Sequence, residues 1–333
     1  MKFLGISLLL LSGVAHASIV ERFEDWLDLH GYSKDETRFP VFENWRSNDE
    51  YINEVNGKNL TYALGHNKYS GMSSDEFSAH MGFRRNMEFL QLKDTEFMYE
   101  PVKYKYEDSI NWVEKGGVTP VKDQGQCGSC WSFSTTGALE GAYYNENNKL
   151  MSFSEQELVD CDKVGNGGKD HGCNGGLMDN AFKWIISQKG LCSETDYPYF
   201  SGETKDRGEC ASKKCTNVAG SAITTYYDVS PSSDDAMMTA LSKQPVSIAI
   251  QADQKDFQLY KSGVFTGACG TQLDHGVLTV GYGSEDGGDY YLVKNSWSDT
   301  WGDGGYIKLG RGKEYNKGDG QCGMLLQASY PSY

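Results

Sequence analysis

Three side chains that lie far apart in the sequence are of the types needed for nucleophilic catalysis by a thiol. Cys130 closes the glycine-rich stretch VKDQGQCGSC and is followed by Trp131 and further apolar residues at helical spacing. This spacing predicts that Cys130 begins a helix, where the dipole and the free N–H groups favour a thiolate. His275 opens one apolar, β-branched run, and Asn295 ends another. Because an imidazole held by a neutral amide can share a proton with a thiol, the set predicts a histidine-activated cysteine nucleophile.

Cys127 and Cys130 also form a Cys-x-x-Cys pair, a spacing found in redox centres and in zinc sites. A thioredoxin-like motif would lie within a βαβ pattern, whereas Pro120, Gly125 and Gly128 surround this pair. A zinc site would need a second matched cysteine pair or two histidines at ligand spacing, and the other cysteines supply neither. Both alternatives are disfavoured, and we expect neither a metal nor another cofactor.

The first 17 residues have the pattern of a secretory signal peptide. Lys2 precedes an apolar run from Ile6 to Val14, and Ala15-His16-Ala17 forms a small-x-small cleavage site. The apolar run is too short for a membrane anchor, which needs about 20 residues. We therefore expect cleavage after Ala17, entry into the secretory pathway, and no association with a membrane.

The net charge and the cysteine count restrict the partners and the compartment. The 333 residues carry a net charge of −15, which argues against nucleic acid or an anionic membrane as a partner. Disulfides are expected in an oxidising lumen or outside the cell. Because nine cysteines is an odd number, one thiol should remain free.

The motifs around these residues resemble those of papain-family cysteine proteases, in particular the cathepsin L-like endopeptidases. Cys127-Gly128-Ser129-Cys130-Trp131 matches the family signature Cys-Gly-[Ser/Ala]-Cys-[Trp/Tyr] at every position. The resemblance extends over almost the whole chain after the signal peptide and includes GCNGGLMDNAF (172–182), YPY (197–199) and ASYP (328–331).

The resemblance implies a role for each candidate catalytic residue. Cys130 would be the nucleophile, His275 its base and acid partner, and Asn295 the group that orients the histidine. The Gln124 amide and the Cys130 backbone N–H would stabilise the oxyanion. Trp297 would shield the bond between histidine and asparagine from water.

The resemblance also implies how a protein or peptide substrate would bind. The backbones of Gly175 and Gly176 would hold it as an extended strand, because no Cβ blocks the approach. A pocket would receive the side chain two residues before the cleaved bond (P2) and favour Leu, Phe or Val. Its walls would be Leu177, Met178, Ala249, Leu273 and Gly276, with the neutral Gln327 at the floor.

The family resemblance implies an α+β fold of two lobes, and the chain's own pattern agrees. Residues 112–215 are rich in helical patterns and residues 218–310 in β-rich runs, which predicts a helical lobe, a β-barrel-like lobe and a cleft between them. Residues 18–105 resemble a helical inhibitory propeptide, so that 106–333 would be the mature peptidase, acting as a monomer. The alternative for 18–105 is a small helical domain without an inhibitory task.

Two features of the propeptide region bear on its structure and its release. Val20, Phe23 and Leu27 are spaced to lie on one face of a helix. In the element that resembles Gly-x-Asn-x-Phe-x-Asp, Tyr69 replaces Phe and Gly71 replaces Asp. The carboxylate linked to acid-triggered processing in the family is thus missing, which implies a weaker trigger or one elsewhere.

The family pattern implies how the cysteines pair once Cys130 is set aside. It gives Cys127–Cys173, Cys161–Cys210 and Cys269–Cys322. Cys192 and Cys215 are left over, and we expect them to form an extra bridge. An exchange of partners between Cys210 and Cys215, or two free thiols, are the alternatives.

Two rival functions on the same scaffold are disfavoured. An exopeptidase would need an insertion that blocks one end of the cleft, and the stretch from Gly176 to Tyr197 has no room for one. A catalytically dead binding or storage protein would usually lack the nucleophile, which is present here. Ser298 and Asp299 depart from the glycine that usually follows Asn-Ser-Trp, and could alter the leaving-group side of the cleft. The sequence leaves open a lysosome-like acidic compartment or the extracellular space.

Overall fold

The computed structural model describes residues 18–32, 38–80, 106–206, 208–211 and 215–333. The predicted signal peptide and the predicted processing site near residue 105 lie outside the described residues. Within the described ranges, no helix combines the length and the apolar character needed to cross a bilayer.

The N-terminal segment folds into three helices and one short strand. They are α1 (Ile19–Leu29), α2 (Arg38–Asn56), β1 (Tyr62–Leu64) and α3 (Ser74–His80). Ser18 and Glu21 start α1 with a capping box, in which each side chain pairs with the backbone N–H of the other residue.

The apolar residues of α1 are buried to different extents. Phe23 and Leu27 are buried and pack with Trp26 and Trp45 in a small aromatic core. Val20, which shares their helical spacing, is 51% exposed. Trp26 takes the central position instead, because its ring stacks on Phe23 and its Nε1 donates to Asn67 O at 2.8 Å.

The next part of the chain forms the helical lobe. Its elements are β2 (Ile110–Asn111), α4 (Cys130–Asn147), α5 (Glu155–Cys161), α6 (Met178–Gln188) and α7 (Ser201–Thr204). Ser154 caps α5 by accepting a hydrogen bond from the Glu157 N–H. α6 ends where Lys189 adopts the left-handed conformation. The helical pattern predicted for this region is confirmed.

The C-terminal part of the chain forms the β-rich lobe. Its strands are β3 (Thr225–Asp228), β4 (Val246–Ile250), β5 (Tyr260–Phe265), β6 (His275–Glu285), β7 (Gly288–Lys294), β8 (Tyr306–Gly310) and β9 (Ala328–Ser332). Two helices interrupt them, α8 (Asp234–Leu241) and α9 (Lys255–Gln258). The strands follow the order β1-β5-β8-β7-β6-β4-β9-β3, and β2 pairs with β6. β5 and β8 are parallel, and the other pairs are antiparallel.

The two lobes meet where α4 packs against β4 and β6. Ser134 Oγ on α4 donates to Val277 O at 2.7 Å, and Ser247 Oγ on β4 donates to Ser134 O at 2.8 Å. A Cβ on Gly137 would lie 2.7 Å from the side chain of Leu278, so glycine permits the close approach. This contact fixes the start of α4 beside the start of β6.

Four disulfides join the cysteines, and all nine cysteines lie in the described ranges. The pairs are Cys127–Cys173, Cys161–Cys210, Cys192–Cys215 and Cys269–Cys322. They are the pairs that the sequence analysis expected, and Cys210 and Cys215 keep the partners assigned to them there. Cys130 is the free thiol.

Candidate active site

Cys130 is the first residue of α4, as its spacing predicted. The loop before α4 is fixed on both sides, by the disulfide from Cys127 to Cys173 and by the Trp131 Nε1 bond to Gly172 O at 3.1 Å. The free thiol therefore lies at the N-terminus of an 18-residue helix that is buried along most of its length.

His275 and Asn295 are joined by a hydrogen bond of 2.8 Å between Nε2 and Oδ1. Asn295 Oδ1 also accepts from the Ser296 N–H at 2.8 Å, which identifies this atom as the amide oxygen. Since an amide oxygen only accepts, His275 Nε2 carries a hydrogen, and Nδ1 is the nitrogen that can take up a proton.

Cys130 and His275 approach each other through the first residues of α4 and β6. The backbone of Gly276 lies close enough to the Cys130 thiol to lower its pKa. A Cβ on Gly276 would lie 3.3 Å from Trp131 N. A larger residue would therefore fit only if Trp131 and Met178 gave way slightly, so glycine allows the histidine strand to lie close to the cysteine helix.

Trp297 covers the histidine and is itself covered by the N-terminal segment. Its ring stacks on His275 with centroids 4.7 Å apart and 25° between the planes. Tyr69 and Phe77 meet the same indole edge-on, at centroid distances of 5.7 and 5.3 Å. The bond between His275 and Asn295 is thereby buried among aromatic rings.

Gln124 is fully buried, and both ends of its amide are fixed. Its Nε2 donates to Cys127 O at 3.0 Å, and its Oε1 accepts from Ser296 Oγ at 2.7 Å. One of the two Nε2 hydrogens remains for another acceptor. Ser296 thus holds both Gln124 and Asn295. This serine was not among the predicted site residues, although its place between Asn295 and Trp297 was a signal.

Desolvation favours the uncharged form of both members of the candidate pair, of which His275 is buried and Cys130 is partly exposed. Desolvation raises the pKa of the Cys130 thiol to about 11, against the opposing effect of the Gly276 backbone. Desolvation also lowers the pKa of His275 to about 4, although the bond to Asn295 opposes this. A thiol and a neutral imidazole are therefore the favoured state.

The residues expected to contact substrate fall into two groups. Gly176 packs on the indole of Trp131, where a Cβ would lie 2.5 Å from the ring, and Gly175 has a φ of 104°. The Leu177 N–H donates to Asp170 Oδ1 at 2.9 Å. Gly175 therefore has a backbone geometry that only glycine adopts without strain, whereas Gly176 must be glycine because the Trp131 indole approaches its Cα too closely for a side chain.

The second group surrounds Gly276. A Cβ there would lie 3.3 Å from Met178 Sδ, and Ala249 is the cross-strand partner of Gly276. The Ala249 N–H donates to Gln327 O at 3.0 Å. Leu273 contacts the loop at Gly323 and is partly buried. The structure thus brings Met178, Ala249 and Gln327 to one place.

A buried group of charges lies behind Asn295 and was missed by the sequence analysis. Lys294 Nζ donates to Thr119 Oγ1 at 3.0 Å, and burial lowers the pKa of this lysine to about 8. Lys122 Nζ lies 3.1 Å from Glu140 and 2.5 Å from Glu155. The burial of these four charged residues could not be predicted from the sequence, because an isolated lysine or glutamate is usually found at the protein surface.

The N-terminal segment crosses the β-rich lobe through polar contacts and a strand. β1 adds to the edge of β5, and Lys68 forms an ion pair of 2.5 Å with Asp123. The Tyr51 hydroxyl donates a hydrogen bond of 2.5 Å to Asp256 Oδ1, and the Tyr62 hydroxyl donates one of 2.5 Å to Asp256 Oδ2. The segment is therefore attached to the face that carries Trp297.

Two departures from the family pattern have structural reasons. A Cβ on Gly71 would lie 2.8 Å from both Trp26 and Val41, so this packing has no room for an aspartate. Ser298 has a φ of 69°, a region that glycine adopts without cost and serine rarely adopts. The family's usual glycine at that position is thus explained by backbone conformation.

One grouping of potential metal ligands occurs in the described ranges, formed by Glu157, Cys192 and Cys215. Both sulfurs are joined in a disulfide, so neither can supply a thiolate ligand.

Comparison with known proteins shows to which family the chain belongs. Residues 106–332 match the model described as papain family cysteine protease. The chain belongs to the papain family of cysteine proteases. Residues 23–77 match the cathepsin propeptide inhibitor domain, so the papain-family domain is made with its propeptide as a zymogen.

Relatives and solved structures cover nearly the whole chain. Cysteine proteinase RD21A of Arabidopsis thaliana is 42% identical over 96% of this chain and 68% of its own length. The senescence-specific cysteine protease SAG39 of Oryza sativa subsp. japonica is 41% identical over 95% of this chain and 91% of its own length. The proform of the ragweed pollen allergen Amb a 11 superposes with a TM-score of 0.84 at 35% identity, covering 94% of both chains. The digestive procathepsin L 3 of Tenebrio molitor gives 0.81 at 33% identity, covering 96% of this chain and all of that one.

The papain-like fold with a helical propeptide and the activity of a cysteine endopeptidase are therefore confirmed. The family acts on protein substrates. The roles of individual residues and the choice of substrate remain predictions.

Proposed function

We propose that this papain-family endopeptidase cleaves peptide bonds with Cys130 and His275 as its catalytic pair and favours bulky apolar residues at P2. The observation that carries the proposal is the 2.8 Å bond from His275 Nε2 to Asn295 Oδ1, beside the thiol at the start of α4. It leaves His275 Nδ1 as the proton acceptor.

The chemistry follows from these protonation states. The Cys130 sulfur attacks the substrate carbonyl carbon while its proton moves to His275 Nδ1. Collapse of the tetrahedral intermediate breaks the C–N bond, and His275 returns the proton to the leaving amine. Water then gives a proton to His275 and attacks the thioester, releasing the acid and restoring the Cys130 thiol. Asn295 holds the imidazole orientation throughout.

The negative oxygen of the intermediate needs donors that are already in position. The free hydrogen of Gln124 Nε2 and the backbone N–H of Cys130 would serve as this pair. Gln124 is held by Ser296 Oγ at 2.7 Å and Cys127 O at 3.0 Å, so little reorganisation is required. Losing one such donor typically lowers kcat by about 10²–10³.

The P2 pocket would lie where Met178, Gly276 and Ala249 meet, with Leu177 and Leu273 at its sides and Gln327 at its floor. Met178 and Ala249 are buried and apolar, which favours Leu, Phe or Val over a charged side chain. The glycine backbone at 175–176 would pair with the extended substrate.

Latency would follow from the packing of the propeptide on the cleft. Tyr69 and Phe77 cover Trp297, and desolvation favours the uncharged forms of Cys130 and His275. Removal of the propeptide would admit water and let a thiolate and an imidazolium stabilise each other. The mature enzyme would act as a monomer in an acidic compartment such as the lysosome, or outside the cell, where its four disulfides are stable.

Replacing the nucleophile tests the catalytic proposal directly. The activated enzyme should react with one equivalent of an E-64-type epoxide at Cys130, the free thiol among nine cysteines. Cys130→Ser should keep the fold and all four disulfides, lose almost all turnover, and take up no epoxide. Ser129→Ala, one residue away, is the matched control and should keep wild-type labelling. A Cys130→Ser enzyme that cleaved peptides at the wild-type rate would refute the assignment.

A further inference from the structure

A pair of buried carboxyl groups lies directly beneath the two substrate-binding glycines. Asp162 ends α5 and Asp170 lies in the following loop, and both side chains are almost completely buried. Their carboxyl groups interact with each other. The loop closes tightly around the pair, because a Cβ on Gly168 would lie 1.8 Å from Asp162 Oδ1.

Asp170 is joined to the glycine segment by short contacts. Its Oδ1 accepts from the Leu177 N–H at 2.9 Å and from Asn180 Nδ2 at 3.1 Å. A Cβ on Gly176 would lie 2.8 Å from the carboxyl carbon of Asp170. The Asp170 side chain therefore supports the backbone of 175–177 from below, while Trp131 packs against Gly176.

The two carboxyl groups have no hydrogen-bond donor for their Oδ2 atoms within the part of the chain that the structure describes. Asp162 Oδ1 accepts from the Lys169 N–H at 3.1 Å, and Asp170 Oδ1 has the two donors named above. The Oδ2 atoms of both residues are buried, and no N–H or O–H of another described residue reaches them. Two buried carboxylates cannot face each other without a bridging proton.

We propose that Asp162 and Asp170 share one proton between their Oδ2 atoms, and that this pair is a positioning device that holds the 175–177 segment in its substrate-binding conformation. The proposal rests on the proposed function, because it assumes that this segment binds substrate. Neither aspartate touches the reacting atoms.

The surroundings determine how the pair responds to pH. Burial and the facing charge of Asp162 raise the pKa of Asp170 well above its usual value, and burial raises the pKa of Asp162. The ionisable residues next to the pair in the chain are Lys163 after Asp162, and Lys169 and His171 on either side of Asp170. α4 contributes Trp131, and α6 contributes the neutral Asn180. Loss of the shared proton at higher pH leaves two facing carboxylates, whose repulsion displaces the glycine segment.

The test is the pH dependence of KM in Asp170→Asn. The side-chain oxygen of Asn at position 170 can still accept the hydrogen bonds of the Leu177 N–H and Asn180 Nδ2. Its NH2 group can donate to the Asp162 carboxylate at every pH. With a peptide that spans P3 to P1, wild-type KM should rise about tenfold between pH 5.5 and 8, corresponding to roughly one pKa unit of lost stabilisation. The KM of Asp170→Asn should stay nearly constant, and its kcat should follow the wild type. Parallel KM profiles, or a KM raised equally at every pH, would overturn the proposal.

Asp162→Asn gives an independent answer if Asp170→Asn folds poorly. Its amide nitrogen can donate to Asp170 while its oxygen accepts from Lys169, so the same flat KM profile is expected. Infrared difference spectra at pH 5.5 should show one protonated carboxyl fewer in either variant than in wild type. An unchanged carboxyl band would refute the shared proton. Wild-type enzyme that takes up epoxide at Cys130 but lacks peptidase activity would instead refute the proposed function.

Discussion

Gln327 lies where a neutral and a charged residue would give different substrate choices. Its carbonyl is fixed by the Ala249 N–H at 3.0 Å, and Ala249 pairs with Gly276 across β4 and β6. The backbone position of Gln327, the proposed floor residue of the P2 pocket, is thus set by the sheet. A neutral amide offers a guanidinium only a dipole, whereas a carboxylate offers an ionic hydrogen bond.

We expect Gln327→Glu to raise kcat/KM for a substrate with Arg at P2 by about tenfold, because hydrogen bonds to charged groups contribute roughly 1.5–3 kcal/mol. The value for a matched Leu substrate should change by no more than a few-fold. The comparison uses paired fluorogenic dipeptides at pH 5.5. Gln272→Glu is the control, since this exposed residue adds the same charge outside the pocket. Wild-type enzyme that prefers Arg at P2 would show that the pocket has been misplaced.

At the scale of elements, the propeptide is bound by edge-strand addition and by a tyrosine clamp. β1 pairs with β5, and the Thr61 hydroxyl donates to Val264 O at 2.7 Å. The Asp256 carboxylate accepts hydrogen bonds from the hydroxyls of Tyr51 on α2 and Tyr62 on β1. One carboxylate therefore joins two propeptide elements to α9.

Asp256→Asn should loosen the propeptide, because an amide has one acceptor oxygen where the carboxylate has two. Loss of one charge-assisted bond should raise the open fraction of the full-length precursor about tenfold. The measurement is the rate at which the precursor reacts with the epoxide at neutral pH. Asp286→Asn, at an exposed turn residue, is the matched control. Equal labelling rates in Asp256→Asn and wild type would show that the clamp does not contribute to latency.

At the scale of the whole molecule, buried carboxyl groups favour acidic conditions. Burial raises the pKa of Glu157 to about 7 and that of Glu194 to about 8. A carboxyl whose folded pKa exceeds its unfolded value stabilises the fold at low pH, and this stability is lost as pH rises through the folded pKa. Buried His275 has the opposite effect below pH 6.5, the unfolded value. Because two such carboxyl groups outweigh one histidine below pH 6.5 and act unopposed above it, a net fall in unfolding free energy is expected from about pH 4.5, the unfolded value for glutamate, to about pH 8.

Glu157→Gln should remove part of this fall. Glu157 Oε2 accepts from the Cys192 N–H at 2.8 Å, and a glutamine oxygen can accept the same bond without a charge. In a Cys130→Ser background, which prevents self-digestion, the variant should exceed its parent by about 2 kcal/mol at pH 7.5 and match it near pH 4.5. Denaturant unfolding at the two pH values measures the difference. The exposed Glu114→Gln serves as control, and a pH-independent effect of Glu157→Gln would contradict the explanation.

The sequence was sufficient for the features that local pattern and ordered motifs encode. Helical spacing placed Cys130 at the start of α4, and β-branched runs placed His275 and Asn295 at strand ends, as the structure has them. The pro-segment helix was also predicted, and of the three residues spaced along one of its faces Phe23 and Leu27 are buried while Val20 is exposed. Periodicity defines a face only to within a residue or two, and contacts with other elements decide which positions are covered.

The resemblance of ordered motifs to a known family therefore gave the class of this protein, and local spacing gave its candidate nucleophile and the order of its elements, because side-chain spacing along one helix or strand is a short-range property. Tertiary structure alone decided the support of the site: Ser296 between Gln124 and Asn295, and the carboxyl pair of Asp162 and Asp170 beneath Gly176. From the sequence alone, an aspartate or glutamate is expected to be exposed to solvent and ionised. Only the three-dimensional burial of such a group sets its protonation, because the cost of desolvation depends on every element that packs around it.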